Sequence, residues 1–204
     1  MRDYSIERFN NELSSAAPIP GGGGASALMA SLAASLCSMV GNLTSGKKKY
    51  AEYQEDIERI IADANRLTRE CEDLIKKDAE VFEPLSKAYS IPKDQEGRDE
   101  ILEAALRTAS DAPYEMIVKT REIASLIEEL SVKGSRLAIS DVGVAASACI
   151  AAAKGASMNV YINTGLMKDR AYADEMNSRT DKAVLDVTKI CEDAYEKVLE
   201  GLRK

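Results

Sequence analysis

From Tyr50 to about Leu85 one pattern repeats and dictates what the chain can become. Tyr53, Ile57, Ile60, Ile61, Ala64, Leu67, Cys71, Leu74, Ile75 and Phe82 recur at steps of three and four residues. That spacing lays side chains along one face of a helix and does not fit an extended strand. The same period returns in Ile6, Phe9 and Leu13 behind a possible Asp3 or Ser5 cap, and in Tyr172, Met176, Ala183, Val187, Ile190, Ala194 and Val198. No stretch alternates as a strand would, and no segment repeats another. The 204 residues predict an all-α antiparallel helical bundle in a single domain, 1–204.

Punctuation divides the rest. The pattern breaks at Ile91-Pro92, and a shorter helix with Ile101, Leu102, Ala105 and Leu106 follows. Asp111-Ala112-Pro113 reads as a new helix start, with Pro at a tolerated early position. That helix carries Ile117, Ala124, Ile127 and Leu130 and stops near Gly134; a run rich in small residues then begins at Val142 and reaches Met167.

Between Leu13 and Gly46 no residue is charged. The run opens with Pro18-Ile19-Pro20-Gly21-Gly22-Gly23-Gly24, a loop stripped of Cβ atoms that a ligand can approach closely. A helix starting there offers unpaired N–H groups and its positive dipole end to an anion. Leu28, Leu32, Leu36, Met39 and Leu43 occupy one side of that helix and small residues the remainder, which predicts a central position in the bundle. The run is long enough to raise a membrane span. The prolines, the glycines and Ser26, Ser31, Ser35, Ser38 and Asn42 argue for a core helix instead. It ends in Gly46-Lys47-Lys48-Lys49-Tyr50. Gly41 to Lys47 fits G-x-x-x-x-G-K, but Lys48 replaces the Ser or Thr of a nucleotide loop and no strand precedes it, so nucleotide binding is rejected.

Composition removes whole classes of chemistry. With no histidine there is no His-based nucleophile triad, His proton shuttle or His metal ligand, and acid–base work falls to Asp, Glu, Lys, Tyr or Cys. A formal charge of −7 disfavours a general nucleic-acid or anionic-membrane binder. Cys37, Cys71, Cys149 and Cys191 are far apart in apolar contexts and read as reduced core thiols. With no signal peptide in evidence, the expected location is cytoplasmic.

Asp78 is the sharpest single-residue signal. Leu74 and Ile75 precede it by a helical turn, and Val81 and Phe82 follow by one, so a carboxylate sits inside the apolar stripe. Burial there raises its pKa, whether it serves a neighbouring helix or a reaction. Ser140-Asp141 reads first as a helix cap. Asn159 and Asn163 share a helical face among small residues, as structural amides or as readers of a polar heterocycle. Lys47, Lys48 and Lys49 are solvated lysines near a helix end, or, if the bundle dimerises, part of a groove shared by two copies.

Taken in order, these segments resemble the cyclodeaminase/cyclohydrolase family of folate enzymes. The resemblance runs through Pro20-Gly21-Gly22-Gly23 and its small-residue helix, Met39 to Thr44, Gly46 to Tyr50, Lys77-Asp78-Ala79-Glu80-Val81-Phe82, Ser140-Asp141 with Gly143 to Ala146, and Asn159-Val160 with Ile162-Asn163. It departs where the family places Ser after the glycines, here Gly24, and Gly-Asn before the Ser-Asp motif, here Gly134-Ser135. It implies a helical homodimer with a folate site near the subunit interface and Asp78 as the catalytic residue. Gly21, Gly22, Gly23, Lys47, Lys48, Lys49, Tyr50, Ser140, Asp141, Asn159 and Asn163 would contact substrate, the lysines meeting its glutamate tail. No metal or redox cofactor is implied beyond the tetrahydrofolate substrate itself. The expected reaction is hydrolysis of 5,10-methenyltetrahydrofolate to 10-formyltetrahydrofolate, because no formiminotransferase portion is attached. The alternatives are a formiminotetrahydrofolate cyclodeaminase and a non-catalytic helical scaffold.

Overall fold

The computed structural model describes residues 4–204, which form six α-helices with no strand among them. They are α1 (Ile6–Leu13), α2 (Gly22–Thr44), α3 (Gln54–Tyr89), α4 (Arg98–Lys133), α5 (Ile139–Thr164) and α6 (Arg170–Leu202). Short 3-10 turns, Lys48–Tyr53 and Arg136–Ala138, lead into α3 and α5. The all-α bundle expected from the periodicity is the fold observed. Ser5 caps α1, its hydroxyl accepting from the Arg8 N–H at 3.1 Å, while Asp3 lies outside the described residues.

The five long helices run up and down. Gly23 of α2 lies against Asp78 of α3, and Gly41 against Ile61, so these two are antiparallel. Gly22 meets Asn159 of α5, while the Ser135 N–H just before α5 donates to Thr44 Oγ1 at 2.8 Å, so α2 and α5 are antiparallel too. Ion pairs lace α3 to α4. Lys133 bridges Asp56 and Glu129 at 2.7 and 2.6 Å, Arg59 reaches Glu129 at 2.7 Å, and Arg66 and Lys119 share Glu70 and Glu122. Each such exposed pair contributes little, but together they fix the register.

One boundary differs from the sequence reading. The expected start at Asp111-Ala112-Pro113 is the interior of α4, which continues unbroken from Arg98 to Lys133. Pro113 has no N–H to give the carbonyl four residues earlier, that of Ala109, and an orphaned buried carbonyl normally ends a helix. Here Asn163 Nδ2 on α5 donates to the Ala109 oxygen at 3.0 Å. A side chain from another helix supplies the missing hydrogen bond.

Helix α2 is central, as expected. Its small residues face inward: Ala27, Ala30, Ala33, Ala34, Cys37 and Gly41 are buried. Leu32, Met39 and Leu43 are 53, 38 and 47% exposed. Small side chains let α3 and α5 approach closely; Leu32, Met39 and Leu43 are left pointing outward, while Leu28 and Leu36 are half-buried against the core. On α5, Val144, Met158 and Ile162 are exposed likewise. Gly22–Thr44 and Arg136–Thr164 are long and apolar enough to cross a membrane, and half or more of each is packed inside the bundle. All four cysteines are buried and free.

Candidate active site

Helix α2 begins without a cap of its own: Gly21, at its N-cap position, makes no side-chain hydrogen bond to the first turn. Asp78 supplies the missing acceptor from α3, its carboxylate taking the Gly24 N–H. The carboxylate thus rests on the positive end of a 23-residue helix. Burial pushes its pKa from an ordinary 3.8 up to about 6, against the downward pull of the Gly24 hydrogen bond. A carboxyl poised near neutrality can both take and return a proton.

Around it lies a cavity of about 140 Å³ lined by Pro18, Ile19, Gly21, Gly22, Gly23, Asp78, Val81, Phe82, Ala109, Asn159, Ile162 and Asn163. Four segments distant in sequence therefore converge: the glycine loop, the Asp78 turn, the middle of α4 and the end of α5. Asn159 Nδ2 donates to the Gly155 carbonyl at 3.0 Å, and its amide lies over Gly22. Asn163 spends an N–H on Ala109, so its first role is to hold α4 together. A second cavity of about 220 Å³ sits across Pro18-Ile19 and shares Phe82.

The remaining candidates gather at the opposite end of the bundle, about 33 Å away along α2 at 1.5 Å per residue. Lys47 Nζ donates to Ser135 Oγ at 3.0 Å, and the Arg136 N–H donates to the Tyr50 hydroxyl at 2.9 Å. The Arg136 N–H most of all, then the Ser135 hydroxyl with Lys49 and Lys47 nearby, draw the Tyr50 pKa below its ordinary value against a smaller upward push from burial. Lys48 and Lys49 are exposed. Ser140 and Asp141 are not caps: α5 starts at Ile139, placing both in its first turn, where the Asp141 carboxylate suits the dipole. Ser140 lines a mostly apolar groove of about 370 Å³ with Val144, Tyr195 and Leu202. Within one chain, then, the glycines, Asp78, Asn159 and Asn163 form one cluster, and Lys47 to Tyr50 with Ser140 and Asp141 form another.

Beyond pointing to the loop from Pro18 to Gly24 as a whole, sequence reasoning assigned no site role to Pro18, Ile19, Val81, Phe82, Ala109 or Ile162. All are apolar and carry no chemical signature, and Ala109 becomes visible only through its hydrogen bond to Asn163. The two departures from the family pattern have distinct surroundings. Gly24 is buried behind Asp78, and a Cβ there would lie 3.3 Å from Pro20 Cβ. Ser135 binds Lys47. Among the described residues, no three His, Cys, Asp or Glu side chains come together as a metal site.

Comparison with known proteins finds relatives over nearly the whole chain. The family described as formiminotransferase-cyclodeaminase matches residues 5–182. A methenyltetrahydrofolate cyclohydrolase from Methylorubrum extorquens is 38% identical over 198 residues, covering 95% of each chain. The formimidoyltransferase-cyclodeaminase of Mus musculus is 30% identical over 181 residues, 87% of this chain but only 34% of that longer protein. The crystal structure of a formiminotetrahydrofolate cyclodeaminase from Thermotoga maritima superposes with a TM-score of 0.90 at 30% identity, covering 99% of this chain and 98% of that one.

Proposed function

The chain belongs to the formiminotransferase-cyclodeaminase family, and we propose that it hydrolyses 5,10-methenyltetrahydrofolate to 10-formyltetrahydrofolate with Asp78 as the acid–base residue. The observation that carries this reading is the Asp78 carboxylate, the one ionisable side chain among those lining the cavity, held by the Gly24 N–H and with its pKa raised to about 6. Similarity to a cyclohydrolase over 95% of both chains favours hydrolysis.

The bridging carbon of the substrate belongs to an amidinium cation. Ionised Asp78 attracts that cation and takes a proton from the water that attacks it, giving a neutral tetrahedral adduct. The carbon–N5 bond then breaks as Asp78 returns its proton to N5. The adduct hydroxyl becomes the formyl carbonyl and its proton leaves to solvent, so one proton is released overall. Asn159 and the open face of the glycine loop would meet the polar heterocycle.

A cavity of about 140 Å³ takes the reacting bridge but not the whole molecule, which calls for several hundred Å³. The exposed apolar face of α2 and α5 begins beside it, since Ile162 belongs to both. A homodimer paired across this face, α2 against α2 in antiparallel sense, would cover the open side. It would also bring the lysine cluster of a second copy beside Asp78, where the lysines and Tyr50 would receive the anionic tail. The substrate-binding roles of Lys47 to Tyr50, Ser140 and Asp141 are assigned on that assembly.

The similarity to the Thermotoga cyclodeaminase favours a second reading of the same pocket. There N10 of formiminotetrahydrofolate attacks the formimino carbon, and protonated Asp78 delivers its proton to the departing ammonia. The deciding measurement is the loss of the methenyl chromophore with purified protein against the uncatalysed rate. Acceleration abolished by Asp78→Asn supports hydrolysis. No acceleration, with ammonia released from the formimino compound, supports the cyclodeaminase instead.

A further inference from the structure

Four consecutive glycines look interchangeable in the sequence, and the structure separates them. None has a positive φ, so the backbone itself does not demand glycine at any of them. Gly23 lies in the first turn of α2, where a side chain is ordinarily accommodated, so its glycine needs another reason. A Cβ on Gly21 or Gly22 would find ordinary contacts at 3.8 Å to the Pro18 oxygen and 3.6 Å to Asn159. On Gly24 it would press on Pro20 Cβ at 3.3 Å. On Gly23 alone it would enter the Asp78 carboxyl group, 2.5 Å from Cγ and 2.5 Å from Oδ2. Both oxygens and Cγ are at similar range, so the carboxylate turns its face to Gly23 while the Gly24 N–H holds it from the side.

We infer that Gly23 is a positioning residue: its missing side chain is the seat of the Asp78 carboxylate, and it fixes that group on the helix end and toward the cavity. The catalytic part of this inference rests on Asp78 being the acid–base group proposed above. The steric part does not. With Ala at 23 the carboxylate must swing off the first turn of α2, losing the Gly24 hydrogen bond and its aim. A displacement of about 1 Å at a reacting group costs on the order of 100-fold in rate.

Gly23→Ala, Asp78→Ala, the double variant and Asp78→Asn test it. In Gly23→Ala, kcat is expected to fall on the order of 100-fold with KM changed far less. The acid limb of the pH–rate profile, expected near the Asp78 pKa of about 6 in the wild type, should move with the displaced carboxyl. Wild-type kcat and pH profile in Gly23→Ala would overturn the inference. Full activity in Asp78→Asn would sink the catalytic reading instead, and the stability cycle then decides the steric claim alone. The Gly23→Ala change should lower Tm when Asp78 is present and leave it unchanged or raised in the Asp78→Ala background. Equal losses of Tm in both backgrounds would refute the seat. Should Gly23→Ala fail to fold, a folded double variant supports the inference and an unfolded one overturns it.

Discussion

Replacing Asp78 by Asn should remove activity and at the same time make the protein more stable, and the size of the second effect follows from the site. The carboxyl binds its proton at about 6 in the folded chain and at an ordinary 3.8 when solvated. A group whose folded pKa is raised favours the fold while protonated, and that advantage fades as pH rises from the unfolded value through the folded one. Above pH 6 the folded chain holds a charge that the unfolded chain would hydrate better, at a cost of about 3 kcal/mol for this interval. Water still reaches the half-buried carboxyl, which reduces the expected figure to about 1–2 kcal/mol. Asn has the same shape, keeps an oxygen for the Gly24 N–H and carries no charge. Urea unfolding at pH 8 should therefore show Asp78→Asn more stable than wild type by about 1–2 kcal/mol, with the gap closing below pH 4. A variant less stable than wild type at pH 8, or a difference independent of pH, would refute the account of Asp78 as a buried, destabilising charge.

Three further outcomes follow from the same geometry. Asn163→Leu should destabilise the protein by about 1–3 kcal/mol, because it orphans the buried Ala109 carbonyl; Pro113→Ala, which restores an N–H four residues along α4, should recover most of that loss in the double variant. Glu at Leu32 and at Ile162 together should shift the particle mass measured by light scattering from a dimer to a monomer and lower folate turnover, since both lie on the exposed apolar face. Ala at Lys47, Lys48 and Lys49 together should raise KM about tenfold or more, with kcat within about twofold and the difference shrinking at high salt, as expected for exposed charges that bind an anionic tail.

The sequence displays some of this and conceals the rest for physical reasons. Helix α3 was legible because its apolar stripe is continuous, and Asp78 stood out as the charge that interrupts the stripe. The continuity of α4 was not legible, because Pro113 is excused by Asn163, 50 residues on in sequence and on another helix. The orientation of α2 could not be read from hydrophobicity. Leucine count points Leu32, Met39 and Leu43 inward, but close helix contact rewards Ala27, Ala30, Ala34 and Gly41 instead. The outward leucines are themselves the trace of a surface that one chain does not bury. Among the glycines, only the approach of α3 distinguishes Gly23 from its neighbours.

Helix α2 also bears on how a chain without histidine can run this chemistry and on what the proposed dimer would add. Its N-terminal end seats an anion, Asp78, and its C-terminal end leads into cations, Lys47 to Lys49; both placements suit the dipole. The proposed substrate has the complementary polarity, a cationic bridge to be attacked and an anionic tail to be held. One chain keeps the two complements about 33 Å apart, at opposite ends of a straight helix. In the proposed dimer, antiparallel pairing of two α2 faces would join the anion of one copy to the cations of the other, twice, and burying the outward leucines would favour it. The same closure would strip water from the open side of the Asp78 cavity. Dehydration would strengthen the attraction between the carboxylate and the cationic bridge, so the proposed assembly would serve catalysis through the same apolar face.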